Sequence, residues 1–202
     1  MDVGGVLCCV VYCCLVVQNC AVLSRYQCIE QTVAAHCQSH GQSQRTVFIT
    51  ERCLSSDHGV FTKMLHQGDQ RARTQKIDTL EMALYEKWLR HLLRSSTPLA
   101  AVVHVDTPPD LCAARVKSRH RGGEEGVSVE YLRSVGQFQQ AWVDGLLAST
   151  PVHTTGSSPT EEAAVAGVEA FVQGLLAPVD LLLGGAGGDD EADEGRRLVC
   201  KL

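Results

Sequence analysis

The chain has 202 residues, 45% of them hydrophobic and 20% charged, enough for one domain with a sizeable core and ordinary for a soluble globular protein. Its formal net charge of −5 excludes a global field that would draw it to nucleic acid or to an anionic membrane. Ten cysteines include Cys8, Cys9, Cys13, Cys14 and Cys20 near the start; adjacent pairs without a nearby His suit neither a zinc site nor a disulfide framework, so they read as free thiols in a reducing compartment.

Residues 1–16 form an atypical apolar segment. The run Val3 to Val17 is shorter than the roughly 20 residues that span a bilayer. It has no basic n-region and no clear cleavage site, which makes a poor signal peptide. A buried helix or strand is the plain reading, and a mis-called start of the reading frame is a third. From Val17 to about Cys37, Val22, Tyr26, Ile29, Val33 and Cys37 step by three and four, which predicts an amphipathic helix. His40 to Arg45 is a polar linker.

Thr46-Val47-Phe48-Ile49-Thr50 is β-branched and predicts a short buried strand. Glu51 and Arg52 follow, where a parallel strand delivers them to its C-terminal end, and ligands in open α/β sheets bind there. A surface ion pair is the plainer reading of those two residues taken alone. Phe61 to Leu65 is read as helix and Gln67 to Arg73 as a polar loop. Ile77, Leu80, Leu84, Trp88 and Leu92 mark a second amphipathic helix, with Tyr85 and Trp88 read mainly as core. Leu99 to Asp106 is a buried strand. Thr107-Pro108-Pro109-Asp110 ends it and opens a helix, with Thr107 as N-cap, proline first and an acid in the first turn.

On that helix Arg115 and Arg119 lie four apart on one face, and Arg121 stands just beyond, before Gly122-Gly123. Three arginines beside such a turn suit anion capture, because each guanidinium can grip two phosphate oxygens. A nucleic-acid patch is the rival reading, but the chain has no wider basic surface. Val129, Leu132, Val135, Phe138, Trp142 and Leu146 predict a long helix. Thr150 to Thr155 predicts a last strand, and Thr160 caps a final helix carrying Val165, Val168, Val172 and Leu175. Residues 179–202 are read as a disordered Gly/acidic tail.

Several of these strings occur together elsewhere. Glu51-Arg52-Cys53-Leu54-Ser55-Ser56-Asp57-His58, ending in Val60-Phe61, resembles the E-R-S-x-x-S-D-R-x-x-F signature of the deoxyribonucleoside kinases, with Cys53 and His58 departing from it. Asp57 matches the deoxycytidine/deoxyguanosine branch. Upstream, Val17-Gln18 to Leu23-Ser24-Arg25 is similar to the family's F-Q-x-x-x-x-L-S-R helix. Tyr85 and Trp88 match a Y-x-x-W pair. Downstream, Glu124-Glu125-Gly126-Val127-Ser128-Val129-Glu130-Tyr131-Leu132 is similar to E-E-x-G-I-P-L-E-Y-L. The resemblance runs from Val17 to about Leu176, with residues 17–178 as a partial kinase domain.

The resemblance implies an α/β P-loop kinase fold, a three-layer architecture with a parallel sheet. It implies transfer of the γ-phosphate of ATP, with Mg2+, to the 5′-hydroxyl of a deoxynucleoside, as in nucleotide salvage. Gln18, Arg25 and Asp57 would read the base: an amide offers one donor and one acceptor, and a carboxylate accepts from an exocyclic amino group. Arg52 and Glu51 would be catalytic, with Glu51 near the magnesium. Glu124 would hold the sugar 3′-hydroxyl. Arg115, Arg119 and Arg121 would form the lid on the ATP phosphates. Thr155 to Ser158 would line the adenine pocket. A homodimer, with no nucleic acid and no membrane among its partners, and a cytoplasmic or mitochondrial location follow from the same resemblance.

The family's Gly-rich loop ending in G-K-[ST] has no counterpart in these 202 residues, nor has its second strand with the catalytic Glu. In the family's sheet order, 2-3-1-4-5, the strands at Thr46 and Leu99 would flank the missing phosphate-loop strand. Each would expose an unpaired ladder, unless they paired with each other or with Val6 to Tyr12, and the isolated chain would be marginally stable or aggregate. Little activity is then expected of the chain by itself. A non-catalytic nucleoside-binding or dimer-forming relative is the alternative. A thymidylate- or adenylate-kinase type shares the arginine lid but leaves the Glu51 to Asp57 string unexplained.

Overall fold

The computed structural model describes residues 3–40, 46–68, 76–156, 161–176 and 196–201, with side chains for 14–40, 46–68, 76–156 and 162–176. The elements are α1 (Val3–His40), β1 (Thr46–Glu51), α2 (Leu54–Ser56), a π-helical turn (Asp57–Thr62), α3 (Lys63–Gln67), α4 (Thr79–Ser95), β2 (Leu99–Val105), α5 (Pro109–Arg119), α6 (Val129–Leu146), β3 (Val152–Thr155), α7 (Glu161–Leu176) and β4 (Arg196–Lys201). The four strands form one parallel sheet in the order β1-β4-β2-β3. Helices cover both of its faces, as the α/β reading predicts.

Each face has its own apolar cluster. Val102 and Cys53 meet Trp142 and Leu146 of α6 on one side. Ala101 and Val103 meet Val47, Val168, Phe171 and Leu175 on the other, under α7. The alternation along β2 follows from the two-residue period of a strand. Ile29 and Val33 of α1 close over Phe48. The largest cluster joins α1 to α4 through Val22, Leu54, Ile77, Met82, Tyr85, Leu89 and Leu92.

The N-terminal apolar run and the helix after it are one element. Val6 to Tyr12 lies within α1 and pairs with no strand. The structure also rotates α4 relative to its expected stripe. Leu80, Leu84 and Trp88 are exposed, at 75%, 52% and 59%, whereas Met82, Tyr85, Leu89 and Leu92 are buried. The helix opens on a capping box: Glu81 N–H donates to Asp78 Oδ1, and Asp78 N–H donates to Glu81 Oε2, both at 2.8 Å. This N-terminus fixes which face turns inward, and Trp88 falls outside it. The helix after β2 is capped one residue later than expected, by Pro108, with Pro109 and Asp110 in the first turn. Thr160 and the 157–158 part of the expected adenine loop lie outside the described residues.

The main correction is at the C-terminal end. Residues 196–201, read as part of a disordered tail, form β4 and fill the slot between β1 and β2. Thr46 to Glu51 register with Arg196 to Lys201 in sequence. On the other side Leu99 pairs with Leu198, and Ala101 to Val103 pair with Val199 to Lys201 across one irregularity. The two ladders expected to lie bare are therefore paired, and neither with the other strand of the two. Composition misses this strand because its apolar centre, Leu198-Val199-Cys200, is only three residues long and sits among charges. Two adjacent unpaired ladders demand backbone partners, and that demand outweighs local composition.

Candidate active site

The site is built where α1 passes the C-terminal end of β1. Gln18 and Arg25 stand two helical turns apart, so they share a face. Val22 between them is buried in the core at 3% exposure, which fixes that face toward the protein. Asp57 opens the π-helical turn and is 3% exposed. Arg25 Nε donates to Asp57 Oδ2 at 2.6 Å, and Arg25 Nη1 donates to the Glu51 carbonyl at 3.0 Å. A carboxylate this buried needs such a partner. One guanidinium thus ties α1 to both the strand tip and the turn.

Thr62 completes the cluster. Its hydroxyl lies 3.1 Å from the Asp57 carbonyl and 3.4 Å from Gln18 Oε1, and its single proton is shared between these acceptors. Gln18, Arg25 and Asp57 are thus gathered in one place, with Thr62 as a link that the sequence did not single out. The π-helical turn inserts the extra residue that makes this possible; such turns recur at functional sites.

Behind the cluster lies a second layer. The His58 and Tyr85 rings stack at 5.9 Å. Burial, with Lys63 nearby, holds the His58 imidazole below its usual range, while Glu86 opposes this. Burial pushes the Tyr85 phenol up to about 12; Thr62 alongside works against the shift and Asp57 adds to it. Tyr85 Oη is buried beside the Thr62 hydroxyl but makes no hydrogen bond of good geometry. The turn is also pressed against α6: a Cβ on Gly59 would come within 2.0 Å of Trp142 Cδ1. No periodicity in the sequence signals that contact.

Glu51 is exposed at the end of β1. Arg52, next along, has φ of +64°, a left-handed conformation that a side-chain-bearing residue holds only when its surroundings enforce it. Two contacts do so. Thr50 Oγ1 donates to the Arg52 carbonyl at 2.9 Å, and the guanidinium lies 4.2 Å over the Phe61 ring, a cation–π contact. Strained backbone at a strand tip marks functional positions.

The arginine group lies at the far end of α5. Arg115 and Arg119 are on the helix, His120 caps it with φ of +47°, and Arg121 follows. All three arginines are exposed. Arg119 grips Glu124 with two bonds, Nε to Oε2 at 2.7 Å and Nη2 to Oε1 at 2.8 Å. The fork that holds this carboxylate is the geometry that holds a phosphate, so the donor set fits a polyphosphate. For magnesium the chain offers Glu51; among the described residues no group of three His, Cys, Asp or Glu side chains could hold a metal ion. A magnesium bound mainly through substrate phosphates suits such a site. α6 packs on both α5 and the π-helical turn and so links the two groups of residues.

A sequence profile described as "Deoxynucleoside kinase" matches residues 13–169, which include every candidate site residue named above. The chain belongs to the deoxynucleoside kinase family. This deoxynucleoside kinase chain is 29% identical over 105 residues to "Deoxycytidine kinase 2" of Gallus gallus, covering 50% of this chain and 37% of that one. It is 23% identical over 124 residues to "Deoxycytidine kinase" of Homo sapiens, covering 58% and 45%. The chain thus spans less than half the length of these relatives. In fold it is similar to the solved structure of deoxyadenosine kinase from M. mycoides with bound dCTP, with a TM-score of 0.50, 13% identity, and 61% and 62% of the two chains covered. No described helix is long and apolar enough to cross a membrane.

Proposed function

We propose that this chain carries the substrate-reading half of an ATP-dependent deoxynucleoside kinase, which transfers the γ-phosphate to the 5′-hydroxyl of the nucleoside. The observation that carries this reading is the buried Arg25–Asp57 pair tied to Gln18 through Thr62. Asp57 accepts from an exocyclic amino group of the base and Gln18 pairs with the base edge. Arg25 aims the Asp57 carboxylate through its 2.6 Å hydrogen bond. This selects cytosine or a purine over thymine. Arg52 steadies the 5′ end, and Glu51 stands beside the magnesium carried on the phosphates. Arg115, Arg119 and Arg121 hold the ATP phosphates, and Glu124 holds the sugar 3′-hydroxyl. ATP supplies the phosphoryl group, and these residues bind and orient it.

The partners follow from the same reading: a deoxynucleoside, and a second copy of the chain. Leu23, Leu84 and Trp88 are exposed along the groove where α1 meets α4, and that apolar strip supports a homodimer. A cytoplasmic or mitochondrial setting belongs to this proposal.

The test is nucleoside binding measured by calorimetry on the full chain, followed by transfer from radiolabelled ATP. Deoxycytidine should bind roughly tenfold more tightly than thymidine, about one hydrogen bond's worth of selectivity. Asp57→Ala should level the two. Equal affinities in the unsubstituted chain would sink the base-reading assignment. Selective binding without transfer would leave the non-catalytic relative as the better description.

A further inference from the structure

Thr62 stands behind the Gln18–Arg25–Asp57 group rather than within it. It is fully buried, at 0% exposure, whereas Gln18 is half-buried, so a ligand that meets the Gln18 amide does not meet Thr62. The hydroxyl has one proton and two acceptors in reach, the Asp57 carbonyl at 3.1 Å and Gln18 Oε1 at 3.4 Å. These acceptors are not equivalent. Asp57 lies five residues before Thr62 in the π-helical turn, the spacing that the backbone ladder of such a turn pairs, so its carbonyl has a backbone N–H to accept from. Among the described residues, Gln18 Oε1 has only the hydroxyl. The proton satisfies more when it points to Gln18.

The Gln18 amide carries an acceptor at one end of a planar group and an NH2 donor at the other, so anchoring the oxygen leaves the donor end for a ligand. Reversal would set NH2 against the hydroxyl, whose proton would then have to turn to a carbonyl already paired. The anchor is also stiff. Thr62 is branched at Cβ, and its neighbours Val60 and Tyr85 are each 1% exposed. We propose that Thr62 is a positioning residue for base recognition, holding the Gln18 amide with its oxygen inward and its NH2 group toward the base. Given the base-reading role proposed above for Gln18 and Asp57, on which this rests, the set of substrates narrows. Asp57 takes the exocyclic amino group, and Gln18 donates to the ring nitrogen beside it, N3 of cytosine or N1 of adenine. Guanine and thymine present a ring N–H there and set donor against donor. Deoxycytidine and deoxyadenosine are favoured, and deoxyguanosine is disfavoured.

Calorimetry on the full chain tests this with deoxycytidine, deoxyguanosine, thymidine and 3-deazadeoxycytidine, which keeps the amino group but has C–H in place of the ring nitrogen. Deoxycytidine should bind roughly tenfold more tightly than the deaza analogue and than deoxyguanosine, about one hydrogen bond's worth. Thr62→Val removes the hydroxyl at nearly constant volume. The amide can then offer either end, and the deoxycytidine-to-deoxyguanosine ratio should fall to about threefold or less, while Thr62→Ser should keep it. A purely structural role would weaken every nucleoside alike and leave the ratio unmoved. Thr62→Ala replaces the valine variant if that variant shows no cooperative melt. Equal binding of deoxycytidine and its deaza analogue, an unchanged ratio in the hydroxyl-free variant, or a lost ratio in T62S would each overturn the assignment of Thr62, and the base-reading role would survive if deoxycytidine were still preferred to thymidine. Equal binding of deoxycytidine and thymidine by the unsubstituted chain would overturn both.

Discussion

The two guanidinium–carboxylate pairs of the site contain the same chemistry under opposite conditions. The side chains of Arg25 and Asp57 are 24% and 4% exposed, and the two residues lie 32 positions apart. Arg119 and Glu124 are 53% and 23% exposed and lie five apart on one turn. Water screens the second pair and leaves the first largely unscreened. The buried pair is therefore part of the fold, holding α1 against β1. The exposed pair is a local arrangement that a better anion can replace. A base-reading element has to be preorganised, whereas a phosphate clamp has to open, and the burial of each pair is consistent with the task proposed for it.

The sharpest way to break this contrast is to remove each carboxylate. Asp57→Ala leaves Arg25 largely buried without its partner and should cost about 2–3 kcal/mol, read as a lower urea midpoint. A loss below about 1 kcal/mol would mean that the pair is dispensable. Gly59→Ala comes next. Its methyl group would collide with the Trp142 indole, and overpacking of this kind costs about 1–3 kcal/mol. Indole fluorescence should change with it.

Tyr85→Phe should have the opposite sign. It removes a buried hydroxyl that has no partner, so stability should hold or rise by up to about 1 kcal/mol. A clear loss would reveal a hydrogen bond from Oη. His58 supplies a pH limb. Its folded pKa lies below that of the unfolded chain, so the unfolded state takes up the proton first. Stability from this residue is complete above about pH 6.5 and declines as pH falls through that value. His104, also lowered by burial, adds to the same limb. His58→Gln should flatten the limb in part, and an unchanged profile would remove His58 from the account. The smallest effect should come from Glu124→Gln, within about 0.5 kcal/mol for an exposed pair and smaller still in high salt. A loss near that of Asp57→Ala would erase the distinction between the regions.

β1, β2, β3 and most helices were legible because their signals are local: β-branched runs, four-residue steps, and prolines at a helix start. Gln18, Arg25 and Asp57 were legible as a trio only through the family strings. What was not legible depends on distance in the chain. β4 is called up by ladders some 100 to 150 residues earlier. Trp88 fits the helical step as well as its neighbours do, yet the Asp78 capping box turns it outward. Thr62 and Gly59 gain their roles from a π-helical turn, whose extra residue shifts the helical phase by a step that no periodic pattern encodes.

The Arg119–Glu124 fork also has a thermodynamic side. Each residue is the other's competitor for ligand. Under the roles proposed above, a polyphosphate that takes Arg119 would release Glu124, and a sugar hydroxyl that engages Glu124 would release Arg119. The cost of opening the pair falls on whichever ligand arrives first, so the second binds more readily, and linkage makes the effect reciprocal. Its ceiling is the strength of an exposed pair, under about 1 kcal/mol or roughly fivefold in affinity. A single surface ion pair would thereby make nucleoside and nucleotide binding sense one another, with a coupling that fades as salt is raised.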